Sequence, residues 1–215
     1  MMTTLLIATR NQHKVGEIQS ILGSTFVCCS LEDFPGAPAV VEDAATFAGN
    51  ALKKARSLAR WLTTQASAAT TEFVLADDSG LAVDALGGAP GVHSARFAAL
   101  DAQNGANTPD AENNAKLLRL LAGLPIEKRT GRFHCAIVLV RRSSQNEDAV
   151  TFEGRCEGRI EFAPRGIGGF GYDPLFIPDG FTESFAELGE DVKNRLSHRA
   201  QALGKLRTWL TARAG

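Results

Sequence analysis

The chain has 215 residues, 44% hydrophobic and 22% charged, which suits one domain or at most two small ones and excludes global disorder. Lys and Arg number 23 against 24 Asp and Glu, a formal net charge of −1, so no electrostatic footprint exists for wrapping nucleic acid or docking on an anionic membrane. Glycine occupies 21 positions, above its usual share of about 7%.

Residues 5–8 read as a short buried strand, too short for a signal-peptide core, and no stretch approaches the roughly 20 apolar residues of a membrane helix. Asn11 is placed to cap a helix carrying Val15, Ile18, Ile21 and Leu22 on one face. Residues 26–29 suggest a second strand and 34–39, with two prolines, a loop. Phe47, Ala51, Ala55, Leu58 and Leu62 recur at helical spacing, followed by a Thr/Ala/Ser-rich connector over 63–71. Residues 73–76 form a strand that runs into Asp77-Asp78-Ser79-Gly80. A helix is predicted over 110–121 with Ala111, Ala115, Leu118 and Leu121 inward, and a doubly buried strand over 135–140. Alternation from Val150 to Ile160 predicts a half-exposed strand, and Ser197 caps a last helix carrying Ala200, Leu203, Leu206 and Leu210. Interleaved strands and helices give an α/β or mixed α+β class. Cys28, Cys29, Cys135 and Cys156 contain no C-x-x-C and fit free thiols in a reducing cytoplasm.

The glycines gather in two loops, 80–91 and 166–171. The second matches G-x-G-x-x-G, but Tyr172-Asp173-Pro174 follows where a dinucleotide fingerprint needs a helix. Close backbone approach to a flat or phosphorylated ligand and a tight structural turn explain these glycines equally well. Asp77 and Asp78 are adjacent carboxylates at a strand end that point in different directions, and neither belongs unpaired in a core. Oxygen donors of this kind suit Mg²⁺, to which Glu42 or Asp43 adds a further carboxylate; turn chemistry is the even-weighted alternative. Cations come in small groups: Arg10, His13 and Lys14 in the segment 9–14 before the first helix, Lys53-Lys54, and Lys193, Arg195, His198 and Arg199 near the last helix. Singly each suits a solvated face; together they resemble clamps on one polyphosphate.

Residues 9–14, 46–55 (TFAGNALKKA), 76–97 (ADDSGLAVDALGGAPGVHSARF), 168–174 (GGFGYDP) and 197–203 (SHRAQAL) together resemble the inosine triphosphate pyrophosphatase family, the dITP/XTP pyrophosphatases that remove non-canonical purine nucleotides. The likeness is colinear over nearly the whole chain. It implies a single pyrophosphatase domain with an elongated mixed sheet flanked by helices, two lobes and a nucleotide cleft between them, in a cytoplasmic homodimer. It also implies a triphosphate loop with Thr9, Arg10, Asn11, Gln12, His13 and Lys14, and Lys54 near the phosphates. Asp78 is implied as general base and metal-linked carboxylate, with Glu42 and Asp77 as further Mg²⁺ ligands and Ser79 as a substrate contact. Phe170, Gly171, Tyr172 and Asp173 are implied to form the base pocket, with Lys193, His198 and Arg199 as further contacts. Two departures stand out: Arg10 and Gly49 replace the family's usual glycine and glutamate. A Maf-type pyrophosphatase and a non-catalytic nucleotide-binding module are the rival readings.

Overall fold

A computed structural model describes residues 3–65, 70–101, 107–142 and 148–214. Five α-helices and six strands are found among them: β1 (Thr4–Ile7), α1 (Gln12–Leu22), β2 (Val27–Ser30), α2 (Phe47–Leu62), β3 (Phe73–Val83), α3 (Asp110–Leu120), β4 (Thr130–Arg141), β5 (Ala149–Ile160), β6 (Phe176–Pro178), α4 (Phe185–Leu196) and α5 (His198–Ala214). The strands form one mixed sheet in the order β2-β1-β3-β4-β5-β6, with β1 parallel to β2 and β3 and β5 antiparallel to β6. No helix among the described residues is long and apolar enough to cross a membrane. The connector expected over 63–71 lies partly outside the described residues.

The chain divides into two compact units, Met1–Asp78, Cys135–Gly154 and Arg199–Gly215 in the first, Ser79–His134 and Arg155–His198 in the second. The first has two cores, one on each face of its strands. Leu5, Ile7, Leu75, Cys135 and Ile137 pack against α1 (Val15, Ile18, Leu22) and α5 (Ala202, Leu203, Leu206). Leu6, Ala8, Val74, Ala76 and Val138 pack against α2 (Ala51, Ala55, Leu58, Leu62). This is the period-2 alternation of a pleated strand, and it assigns each residue of β3 to one helical layer or the other. The second unit has its own core of Leu81, Val83, Phe97, Leu117, Phe133, Ile160, Phe176 and Phe185.

Three expectations change. β3 does not stop before the aspartates: it runs through them to Val83, because Leu81 and Val83 are fully buried and continue the pattern. On α3 and just past its end Leu118 and Leu121 pack on the core as expected, but Ala111 and Ala115 are exposed, and Asn113, Asn114, Lys116 and Leu117 complete the buried face. Buried side-chain hydrogen bonds outweigh the small apolar gain of two alanines there: Asn113 alone ties Ala95, Ala98 and Thr108. Finally, α4 had no expected counterpart, although Ser184 and Glu187 form a capping box at its start.

Candidate active site

In the first unit β1 lies between β2 and β3, so the chain turns to one side of β1 and later to the other. The carboxyl end of a strand at such a reversal is where open α/β sheets bind ligands. Residues 8–11 leave β1 at this point and enter α1. Asn11 caps that helix, its side chain accepting from the Lys14 amide at 3.1 Å, and Thr9 Oγ1 accepts from the Asn11 amide at 3.2 Å. The amides opening α1 make an anion-friendly terminus beside an ammonium. Gln12 binds Glu32, and Arg10 donates to the carbonyl of Ala37 at 2.9 Å; His13 is exposed.

Pleating decides the fate of the two aspartates. Asp77 follows Leu75 onto the face covered by α1 and α5, where Lys14 Nζ donates to Oδ1 at 2.5 Å and Arg199 Nε to Oδ2 at 3.1 Å. Arg199 also pairs with Glu17, and the Cys135 thiol lies 3.2 Å from Asp77 Oδ2. Asp77 is 1% exposed. Burial pushes its carboxyl upward, but Arg199 and Lys14 outweigh burial and hold it well below the usual range. Burial pulls Lys14 down, and the carboxylates of Asp77 and Asp78 more than restore it, so its ammonium is secure. Burial likewise raises the Cys135 thiol well above its ordinary value, reinforced by Asp77, which keeps it protonated.

Asp78 follows Ala76 onto the other face, over α2. Asn50 Nδ2 donates to Oδ2 at 3.1 Å and Lys54 Nζ stands 3.6 Å from Oδ1. The same ammonium donates to Glu42 Oε2 at 3.0 Å and to the carbonyl of Asp77 at 2.7 Å. Burial raises the Asp78 carboxyl to about 6, with Glu42 adding to the rise and Lys54 and Lys14 opposing it. At neutral pH Asp78 is thus an anion of unusual basicity for a carboxylate, suited to proton transfer. Glu42 and Asp78 gather around one cation, a set of hard oxygen donors that fits Mg²⁺, which takes one or two carboxylates and leaves its other positions to water and phosphate. Among the described residues no three His, Cys, Asp or Glu side chains converge as a complete metal cage.

The second unit carries the other expected residues. Phe170 is half-buried, with Lys193 Nζ 4.5 Å from its ring centroid. Lys193 is itself held by Asp173 at 2.6 Å, both groups almost wholly buried. Asp173 Oδ2 also accepts the Phe170 amide at 2.8 Å. Gly171, at φ +64°, donates its N–H to Asp110 at 2.6 Å, and its carbonyl accepts from Asn114 at 3.0 Å. Asp110 and Asn114 are i and i+4 on α3 and grip both polar groups of one glycine. Tyr172 is a core residue whose hydroxyl donates to the carbonyl of Ser94, and burial raises its phenol. His198 stacks on Phe133 at 4.8 Å with an interplanar angle of 10°. Ser79 is half-buried on β3 directly after Asp78.

Each unit therefore assembles its own share of the expected residues. Asn50, Glu17, Asp110 and Asn114 were not anticipated. The signal for Asn50 was its position four before Lys54 on a helix, and that for Asp110 and Asn114 their own i, i+4 spacing.

The chain is similar to known proteins over nearly its full length. A dITP/XTP pyrophosphatase of Geobacter sulfurreducens is 48% identical over 210 residues, covering 97% of each chain. One from Geobacillus kaustophilus is 47% identical over 206 residues, covering 95% of this chain and 93% of its own. The solved structure of a HAM1 protein from Coxiella burnetii superposes with a TM-score of 0.82 at 36% identity, covering 98% of this chain and 100% of its own. The Ham1 family profile matches residues 5–209. With both the sequence and the fold in agreement over nearly its full length, the chain belongs to the Ham1 family.

Proposed function

We propose that the chain hydrolyses non-canonical purine nucleoside triphosphates (ITP, dITP, XTP and dXTP) between the α- and β-phosphates, releasing monophosphate and pyrophosphate. The carrying observation is the pairing of a basic, buried Asp78 with Lys54 and Glu42 on one face of β3, while Asp77 neutralises Lys14 and Arg199 on the other. The names of the curated relatives agree with this reading, and family membership disfavours both the Maf-type reaction and a non-catalytic module.

Asp78 accepts the proton of the attacking water or orients it. Lys54 and Lys14, with the amides opening α1, bind the phosphates and stabilise charge on the departing pyrophosphate. Glu42 and Asp78 would hold Mg²⁺, which when bound neutralises phosphate oxygens. In the base pocket, Phe170 offers a ring face for stacking. The amides of Phe170, Gly171 and Asp173 are all engaged within the protein, and Arg199 is committed to Asp77 and Glu17. Lys193, whose ammonium has donors beyond its bond to Asp173, and His198 are the side chains assigned to the purine 6-keto oxygen. A site of donors rejects adenine, whose 6-amino group would leave a buried donor facing a donor. A cytoplasmic homodimer is the expected working form.

Incubation with Mg²⁺ and dITP is expected to yield dIMP and pyrophosphate, with ATP a poor substrate; orthophosphate and dIDP instead would overturn the assignment. Chelation with EDTA is expected to abolish the turnover. Asp110→Ala removes the charged acceptor of the Gly171 amide, worth about 1.5–3 kcal/mol in such bonds. It is expected to raise KM for dITP roughly fivefold with kcat within twofold, since only the base loop loosens. A fall in kcat at constant KM would place Asp110 elsewhere in the cycle.

A further inference from the structure

Asp78 is gripped by α2 through two side chains one helical turn apart. Asn50 and Lys54 are i and i+4, hence on the same face of the helix, and each addresses a different carboxylate oxygen. Lys54 supplies charge. Asn50 supplies a neutral donor, and it is 0% exposed. Its other amide atom is also engaged: Oδ1 accepts the Ala44 N–H at 2.8 Å. That second bond fixes the orientation of the amide, because an oxygen facing the Ala44 N–H turns the NH₂ toward Asp78. Ala44 lies two residues after Glu42, so one buried amide ties the Glu42 segment to Asp78.

The residue type follows from this double contact. A carboxylate at position 50 would keep the bond to Ala44 but set an anionic oxygen against Asp78 Oδ2. An apolar residue of similar size would strand a buried N–H and a buried carboxylate lone pair at once. Asparagine donates to one partner and accepts from the other without adding charge beside the reacting groups. Nothing else on the inner face of α2 requires a polar side chain at this position, since Ala51, Ala55, Leu58 and Leu62 form the apolar contact.

We propose that Asn50 is a positioning residue for hydrolysis: its amide fixes the plane of the Asp78 carboxylate and couples it to the segment that carries Glu42. This rests on the assignment of Asp78 as the base. Groups that orient a reacting or metal-binding side chain typically contribute 10–100-fold to activity.

The test uses Asn50→Asp, Asn50→Ser, Asp78→Asn and the double variant Asn50→Asp/Asp78→Asn, with steady-state kinetics on dITP and thermal unfolding in EDTA. Asn50→Asp is expected to lower kcat about 100-fold with KM for dITP within threefold, because the phosphate and base contacts remain. Asn50→Ser leaves room for a water to bridge the same groups and is expected to fold with kcat about tenfold down, which keeps the test decisive if the Asp variant does not fold. The double variant exchanges donor and acceptor across the contact. It is expected to unfold at a higher temperature than Asn50→Asp alone while remaining inactive, since the carboxylate then stands at 50 and not at 78. Retention of kcat within twofold in both Asn50 variants, or a rise in KM with kcat unchanged, would overturn the positioning role. Activity retained in Asp78→Asn would instead remove the base assignment, an outcome distinct from failure at Asn50.

Discussion

Asp78→Asn is expected to lower kcat on dITP by about 10³-fold, the scale of a lost general base, and at the same time to stabilise the metal-free protein. The stability effect follows from linkage. The Asp78 carboxyl is raised from 3.8 to about 6 in the fold. Between about pH 4 and 6 the folded state binds more protons at this site than the unfolded chain, so stability falls as pH rises through that window. Above pH 6 the full cost of the buried anion is present, and one pKa unit corresponds to about 1.4 kcal/mol. Asparagine removes that cost, which is already net of the attraction of Lys54, but replaces the carboxylate's own hydrogen bonds less well, leaving a gain of about 1–2 kcal/mol. Thermal unfolding in EDTA should show the variant above the parent at pH 7 and converging with it at pH 4. A variant less stable than the parent at pH 7 would mean that the Lys54 pair, and not burial, dominates Asp78. A residue that weakens the fold at rest and is required for turnover is the stability–activity exchange expected at a catalytic position.

Asp77→Asn should do the opposite. Its carboxylate offsets Lys14 and Arg199, and Arg199 is only 1% exposed. Removing one partner of a buried ionic cluster leaves uncompensated charge, at about 3–5 kcal/mol. For a chain of this length that is a fall in Tm of roughly 10 °C. The sign of its pH dependence is also reversed. The folded-state value of Asp77 is lowered, so its contribution is complete above the ordinary carboxyl range and is lost only as pH falls well below it. Lys14 would lose its anchor as well, so phosphate binding should weaken together with stability. Urea unfolding near pH 7 measures the first effect, and a loss below about 1 kcal/mol would show that Glu17 alone suffices as counter-ion. Two neighbouring aspartates with opposite effects on stability would be direct evidence that the pleat of β3 separates their roles.

Much of this was legible in the chain. Asn11 announced the cap of α1, the spacing of Ala51, Ala55, Leu58 and Leu62 announced α2, and the alternation from Val150 to Ile160 announced β5, because each is a local pattern set by side-chain period. The absence of a helix after the 166–171 glycines likewise excluded a dinucleotide fingerprint, and none opens there. α3 was placed correctly but its face only in part: Leu118 and Leu121 reach the core, whereas Ala111 and Ala115 do not. Its buried side is held by Asn113, Asn114 and Lys116, whose partners at Ala95, Gly171 and Phe97 are distant in sequence and invisible to an apolar pattern.

The sequence by itself determined the family, the class of the fold and the residue types available for the chemistry, since these depend on local periodicity and on motifs read in order. Tertiary structure decided what each residue does. Asp77 and Asp78 are indistinguishable as letters, yet one lies among Lys14, Arg199 and Cys135 and the other among Asn50, Lys54 and Glu42. The physical reason is that successive side chains on a strand point to opposite faces, and only the packing of α1 and α5 on one face and α2 on the other fixes what each meets. Charge, burial and proton affinity then follow from the neighbours.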